Sequence, residues 1–340
     1  MPQAPSTKFF ALNPQLADLH VHVGSISDPA LLWDISHYLG FKLPAEDYWS
    51  FAQMMVAKDI EGEDAAARLN RYLKFFHLTE RIQSSPYAME RVIYDAVSRA
   101  YRNYNITKLE LRFCPMWRNR QGEHDLDYIM IASLHALDKA SIAFPEVKTG
   151  IILEFDRRLT KEQNTVILEK AIKYKGRGVV GIDIAGPRVP HFSYMDYVEL
   201  YQEAIMQGLS TTIHAGEEGS ADEMKSIVAN IPLHRVGHGV KAYTDLELMK
   251  MLVDRDITLE ICPTSNLTLG IVDGLREFKE IIRTFIKNDV KFTINTDGPI
   301  LLNTDIKKEI SLLLDHQVVS LEEMLVINNR AHEASFIVKR

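Results

Sequence analysis

Eight short runs of β-branched and apolar residues, most of them separated by a stretch with helical periodicity, constrain this chain more than any other feature. They are Leu16–Gly24, Lys108–Pro115, Thr149–Phe155, Val179–Gly186, Ser210–Glu217, Arg235–Val240, Thr258–Ser265 and Lys291–Pro299. The helical stretches include Met89–Tyr104, Asp127–Ala143, Lys161–Lys175, Tyr194–Gln207, Ala221–Ala229, Leu246–Val253 and Gly274–Asn288. Strands that alternate with helices pair in parallel, because the helix carries the chain back to the starting edge of the sheet. Eight such units close into an α/β fold of the (β/α)8 TIM barrel type. A chain of 340 residues suits one barrel with insertions, read here as a single domain over residues 1–340. The rival, a doubly wound open sheet, usually carries a Gly-rich phosphate turn after its first strand, and Gly24-Ser25-Ile26-Ser27 is not one.

Residues 25–105 interrupt the regular spacing. Within them Pro29–Leu39 and Ala65–Gln83 have helical periodicity, with Leu43–Tyr48 as a looser link. An insertion after the first strand stands on the rim where barrel loops build active sites, so it reads as a helical, lid-like element. Extra packing with no gating role is the other reading. Its aromatic residues Trp33, Trp49, Phe51, Phe75 and Phe76 read first as core and second as the wall of a pocket.

Composition excludes several classes. Hydrophobic residues at 46% and charged residues at 25% match a soluble globular protein and disfavour disorder. A net charge of −7 without a basic stripe speaks against nucleic acid as a partner. No apolar stretch approaches the ~20 residues of a membrane span, and Met1–Pro14 does not read as a signal peptide. Cys114 and Cys262, too few for a disulfide framework, read as buried thiols of a reducing compartment. The expectation is a soluble cytoplasmic protein.

Chemistry-bearing residues gather at the ends of the runs. In a strand, residues two apart share a face, so His20 and His22 can offer two imidazoles to one ion, with Asp18 two positions earlier. Alone, a His-x-His is weak evidence. His214-Ala215-Gly216-Glu217 ends the fifth run, where glycine lets the backbone turn a carboxyl group back toward the strand's mouth. Glu217 is either a proton shuttle or an acid at a helix start. His238, between Gly237 and Gly239, is either functional or a satisfied core histidine, and Asp297 before Gly298-Pro299 is either functional or an Asx turn.

The barrel resolves these pairs of readings together, because it places every strand C-terminus on one rim. Three histidines and an aspartate converge on a metal with one position open to water, leaving a glutamate and a fourth histidine for proton transfer. Nitrogen donors with one carboxylate fit Zn²⁺ best, one per chain, ahead of iron, manganese or cobalt. The remaining histidines, His37, His77 and His316 among them, receive no role.

These residues resemble the adenosine deaminase family of metal-dependent amidohydrolases. The resemblance runs from about Leu16 to Ala331 through Leu19-His20-Val21-His22, Ile182-Asp183-Ile184-Ala185-Gly186, His214-Ala215-Gly216-Glu217, Arg235-Val236-Gly237-His238-Gly239, Glu260-x-Cys262-Pro263-x-Ser265-Asn266 and Asn295-Thr296-Asp297. It implies that His20, His22, His214 and Asp297 are zinc ligands. It further implies that Glu217 protonates the purine ring nitrogen, that His238 orients and helps activate the zinc-bound water, with Asp297 as acceptor of its proton, and that Gly186 contacts the heterocycle through its backbone. The implied reaction is hydrolytic deamination of a small aminopurine, with water as co-substrate and ammonia as product. A hydrolase of another heterocycle, ester or amide, and a non-catalytic nucleoside-binding protein, are the alternatives.

Two positions depart from the family pattern. Gly298 stands where a second aspartate usually follows the metal-binding one and reaches the purine's imidazole side, and Gly24 stands where an acid or other polar residue often lies near the sugar. Both are expected substrate-contact positions, and glycine at both is expected to enlarge the pocket.

Overall fold

The computed structural model describes residues 4–56, 60, 64–119 and 125–337. Strands β1 (Leu16–His22), β2 (Ile106–Phe113), β3 (Lys148–Asp156), β4 (Val179–Ala185) and β5 (Ser210–Thr211) pair in that order, all in parallel. A second parallel set holds β6 (His214–Ala215), β7 (Arg235–His238), β8 (Thr258–Ile261) and β9 (Phe292–Ile294). β5 and β6 are the two halves of the fifth run. Between them the Thr212 N–H donates to the Ile182 carbonyl at 3.0 Å on one side, and the Gly237 N–H donates to the Ile213 carbonyl at 2.8 Å on the other. The ring closes beyond β9, where the Asp297 N–H donates to the His20 carbonyl at 2.8 Å and the His22 N–H to the Asp297 carbonyl at 2.9 Å. The fold is the eight-position (β/α)8 barrel that the runs imply.

Every residue of β1 is buried. Its alternation still sorts the side chains: Ala17 and Leu19 pack outward against Ala331 and Ala334 of the helix Leu321–Ala334, which leaves Asp18, His20 and His22 for the interior. That interior is ionic as well as apolar. Arg112 reaches Asp183 and Glu260 at 2.8 Å each, and Arg235 reaches Glu260 at 2.7 Å and Glu110 at 2.5 Å. Glu110 also accepts from the Phe336 N–H at 2.6 Å, and the Phe336 ring lies under the Arg235 guanidinium at 3.5 Å. Charges this deep persist because each is paired and hydrogen-bonded several times.

Runs longer than the strands they contain end where side chains take over the ladder. In Lys291–Pro299 only Phe292–Ile294 is strand, and Asn295 instead accepts from the Leu19 N–H through Oδ1 at 3.0 Å. The insertion holds helices Pro29–Tyr38, Tyr48–Met54 and Ala65–Ile82, followed by Pro86–Tyr104. The supposed loose link thus leads into a helix that starts at Tyr48, because Asp47 caps it by accepting from the Trp49 and Ser50 N–H groups. Ser85 and Pro86 start the last helix a turn earlier than periodicity alone indicates. Helices Ile306–Asp315 and Leu321–Ala334 follow the barrel's last strand. Cys114 and Cys262 are buried free thiols. Among the described residues no helix is long and apolar enough to cross a membrane.

Candidate active site

The interior face of β1 delivers His20 and His22 to the barrel's C-terminal rim, and β6 delivers His214. Each ring is anchored through Nδ1 to a buried carboxylate: His20 to Glu260 at 2.7 Å, His22 to Glu154 at 2.8 Å and His214 to Asp183 at 2.9 Å. With Nδ1 committed to a carboxylate, each ring turns its Nε2 toward the others. His22 Nε2 lies 3.2 Å from His214 Nε2 and 3.4 Å from Asp297 Oδ1, while His20 Nε2 lies 3.9 Å from the same oxygen. Asp297 holds its place by a left-handed backbone, φ 59°, and by accepting from Ser265 Oγ at 2.6 Å. A non-glycine residue in that conformation is strained, and such strain concentrates at functional sites.

These donors fit a metal ion. Lone pairs facing each other at 3.2 Å repel unless a cation or proton lies between them, and His20 Nε2 is buried without any hydrogen-bond partner. Four donors around a tetrahedral ion with ~2.0–2.1 Å bonds stand roughly 3.3 Å apart, close to the separations around His22. Burial first, then the Arg112 charge, holds His20 well below the usual histidine range. Burial and the neighbouring His22 do the same to His214, so both rings are neutral donors. At His22 burial is overcome by Glu154 and Asp297, which push its pKa up to about 9. A metal therefore competes with a proton at that nitrogen.

His238 lies close enough to His20 and His214 to belong to the same donor cluster. Its own hydrogen-bond partner differs from theirs. Nδ1 faces the Asn266 side-chain amide at 3.1 Å rather than a carboxylate, and Nε2 lies 3.7 Å from Glu217 Oε1. Like Asp297 it sits at positive φ, 60°. His238 and Glu217 thus form a separate pair beside the imidazole cluster, and both line the cavity.

That cavity is a solvent-connected cleft of about 80 Å³. Its floor is His22, His214, Glu217, His238 and Asp297, with Gly186 at one edge. Arg157 braces the edge by donating to the carbonyls of Gly186 and of His214, the latter at 2.8 Å. Arg158 grips Asp156 through Nε at 2.8 Å and Nη2 at 2.6 Å and stacks over Trp117 at 4.4 Å. His77, given no role from sequence, stands at this mouth with Nε2 3.3 Å from Arg158 Nη1.

The expected enlargement of the pocket at Gly24 and Gly298 is not found. A Cβ on Gly24 would lie 2.6 Å from the Phe76 ring, and one on Gly298 would lie 2.1 Å from the Tyr72 hydroxyl. Helix Ala65–Ile82 fills both spaces with aromatic side chains four residues apart, on one helical face. Phe76 also meets the His22 ring edge-on at 5.8 Å, and both Phe76 and Tyr72 line the cavity. The aromatic residues of the insertion therefore divide. Phe76 is wall, Phe51 is fully buried beside Trp33 at 5.5 Å, and Trp49 is 74% exposed.

Sequence reading missed Glu154, Asp183 and Glu260 as anchors, Arg157 as a brace and Tyr72 as lining. For the three acids a signal existed: each is a carboxylate inside a largely apolar strand, alone there for Asp183 and Glu260 and with Asp156 at the strand's end for Glu154, where a charge is tolerated only with a partner.

Residues 15–340 match the family model described as adenosine deaminase. The chain is 30% identical over 298 residues to the adenosine deaminase of Vibrio vulnificus (strain CMCP6), covering 88% of this chain and 87% of that one. Its fold resembles an adenine deaminase from Arthrobacter aurescens, with TM-score 0.82 and 21% identity over 96% of this chain and 95% of that one. It also resembles an amidohydrolase from Burkholderia ambifaria solved with bound Zn, with TM-score 0.82 and 17% identity over 100% of this chain and 90% of that one. The chain belongs to the adenosine deaminase family, and is a metal-dependent hydrolytic deaminase.

Proposed function

We propose that this protein converts an aminopurine nucleoside or base and water to the oxo-purine and ammonia, with one zinc ion per chain held by His20, His22, His214 and Asp297. The observation that carries the reading is the set of three imidazoles, each anchored at Nδ1 to its own buried carboxylate and presenting Nε2 beside Asp297. Zinc held there supplies a Lewis acid that makes water a nucleophile near neutral pH.

The chain's own groups divide the remaining work. Glu217, at the cavity floor, delivers a proton to the ring nitrogen next to the amine-bearing carbon as water adds to that carbon, and the tetrahedral product loses ammonia. His238 orients the water and takes part in its activation, and Asp297 accepts its proton. The tautomer of His238 decides whether it can do so. Asn266 Oδ1 is buried without a partner, and turning the amide over lets that oxygen accept from His238 Nδ1–H. Nε2 then carries the lone pair that faces the cleft. The backbone of Gly186 contacts the heterocycle at the cavity's edge. The whole chain works as one barrel domain, with residues 25–105 as the lid-like insertion, on a small molecule in the cytoplasm.

The test is ammonia release from adenosine, deoxyadenosine, adenine and modified aminopurines, with metal content measured on the same preparation. The expected result is ammonia from at least one of them with one zinc per chain. Glu217→Gln is expected to lower kcat by roughly 10²- to 10⁴-fold while zinc stays bound. Ammonia from none of these substrates would sink the reading. Undiminished hydrolysis by Glu217→Gln would move the chain to ester or amide cleavage, which needs no ring protonation.

A further inference from the structure

Among the described residues that line the cavity, Tyr72 brings a hydroxyl that makes no close hydrogen bond to the protein. Its side chain belongs to helix Ala65–Ile82, it is 4% exposed, and its buried hydroxyl forms no close, well-aligned hydrogen bond, with the Ser25 hydroxyl as its polar neighbour. Ser25 Oγ, the polar atom beside it at the Gly298 backbone, donates to the His22 carbonyl at 3.0 Å. A buried hydroxyl left unpaired costs more than a satisfied one contributes, so its retention inside a ligand cavity points to a partner that arrives with the ligand.

Its position says which part of the ligand. The hydroxyl stands 2.1 Å from where a Cβ of residue 298, next to Asp297 in the chain, would project, in the cavity that Glu217 also lines. A planar heterocycle whose amine-bearing carbon sits over the donor cluster, with a ring nitrogen toward Glu217, turns its opposite edge toward Asp297 and residue 298. For a purine that edge is the five-membered ring. A phenol near neutral pH offers an O–H donor, which matches a ring nitrogen carrying a lone pair.

Resting on the deaminase reading above, we propose that Tyr72 is a specificity-determining residue that donates a hydrogen bond to the imidazole-edge nitrogen of the aminopurine. The recognition group for that edge comes from the insertion helix, and glycine at 298 is what leaves room for it. An aspartate at 298 and a tyrosine at 72 are sterically exclusive in this arrangement.

The test pairs a protein change with a ligand change. Tyr72→Phe removes only the hydroxyl, and 7-deazaadenosine replaces only the imidazole-edge nitrogen of adenosine by carbon. A corresponding 7-deaza analogue serves if adenine or another aminopurine is the better substrate. Tyr72→Phe is expected to lower kcat/KM roughly 10- to 100-fold on the parent compound and to leave the 7-deaza analogue within about twofold of wild type. Calorimetric binding of hypoxanthine and 7-deazahypoxanthine gives the same comparison without turnover, so it reads Tyr72 even if the panel shows no deamination. Equal losses on parent and analogue reveal a packing role and overturn the proposal, as does no loss on either. A second construction guards against a folding artefact: Gly298→Asp alone is expected to be poorly active because it collides with Tyr72, and Tyr72→Ala with Gly298→Asp is expected to recover activity on the parent compound. Recovery absent in the double variant, together with an unaffected Tyr72→Phe, rejects the exclusive arrangement.

Discussion

The floor of the cleft and its insertion wall are built on opposite plans. On the floor, the three imidazoles proposed to hold the metal arrive on strands, are buried, and are each tied through Nδ1 to a carboxylate, two of which are themselves tied into the barrel: Asp183 and Glu260 both bind Arg112, and Glu260 binds Arg235 as well. The wall is a single helix that touches the floor by packing, Phe76 against Gly24 and His22, and leaves the Tyr72 hydroxyl with only the Ser25 hydroxyl as a polar neighbour. A site organised this way separates two tasks. Reaction chemistry requires atoms fixed within tenths of an ångström, which a cross-linked barrel supplies, whereas discrimination among substrates can be altered by exchanging side chains on one helix without disturbing that geometry.

The largest effect that follows is at the floor. Chelation, or His214→Ala, should abolish ammonia release, and zinc should restore the chelated enzyme but not the variant. The variant is also expected to lose metal, because only three of the four proposed donors remain. His214→Ala that keeps both metal and activity would break the division between floor and wall, since it removes the ring that lies 3.2 Å from His22 Nε2.

One step out from the metal cluster, the anchors should matter by less. Glu154→Gln leaves a hydrogen-bond acceptor for His22 Nδ1 but takes away the charge that most raises the basicity of that ring. The expected cost is about 10- to 100-fold in metal affinity or in activity. Because His22 is pushed up to about 9 largely through Glu154, the variant's imidazole should be deprotonated at lower pH. Metal binding by Glu154→Gln should accordingly lose less to proton competition on the acid side, which a titration of zinc affinity against pH reads. An unchanged pH profile would show that Glu154 only fills space.

How far the sequence discloses this division differs between the two regions, for a physical reason. The strands and their terminal residues are legible because a period of two and apolar runs are local properties; His20 and His22 announce a shared face without knowledge of anything else. The partners of those rings are not local. Glu154 meets His22 and Glu260 meets His20 only after the barrel closes, and acids inside apolar strands say that partners exist without saying which. The insertion is harder still. Periodicity shows the helix Ala65–Ile82 within a residue at its C-terminal end, yet the direction in which it docks depends on the space at Gly24 and Gly298, far from it in the chain. Glycine there reads as a void from sequence, and the structure fills it from elsewhere.

The smallest predicted effect tests the packing side of the comparison. In Gly24→Ala the new Cβ would sit 2.6 Å from two atoms of the Phe76 ring, and an aromatic ring cannot bend away as a flexible chain end does. Gly24 is buried at a φ that alanine tolerates, so backbone strain does not enter and the collision alone sets the cost. Overpacking of this kind costs about 1–3 kcal/mol, against which alanine recovers about 0.4–1 kcal/mol through a less mobile unfolded chain. The net should appear as a modest fall in melting temperature. Because Phe76 stands on the helix that carries Tyr72, the displacement should also raise KM several-fold, with kcat within about twofold and zinc content unchanged. Comparable losses in kcat and metal content would mean that the wall props up the floor, and the two regions would then have to be treated as one mechanical unit.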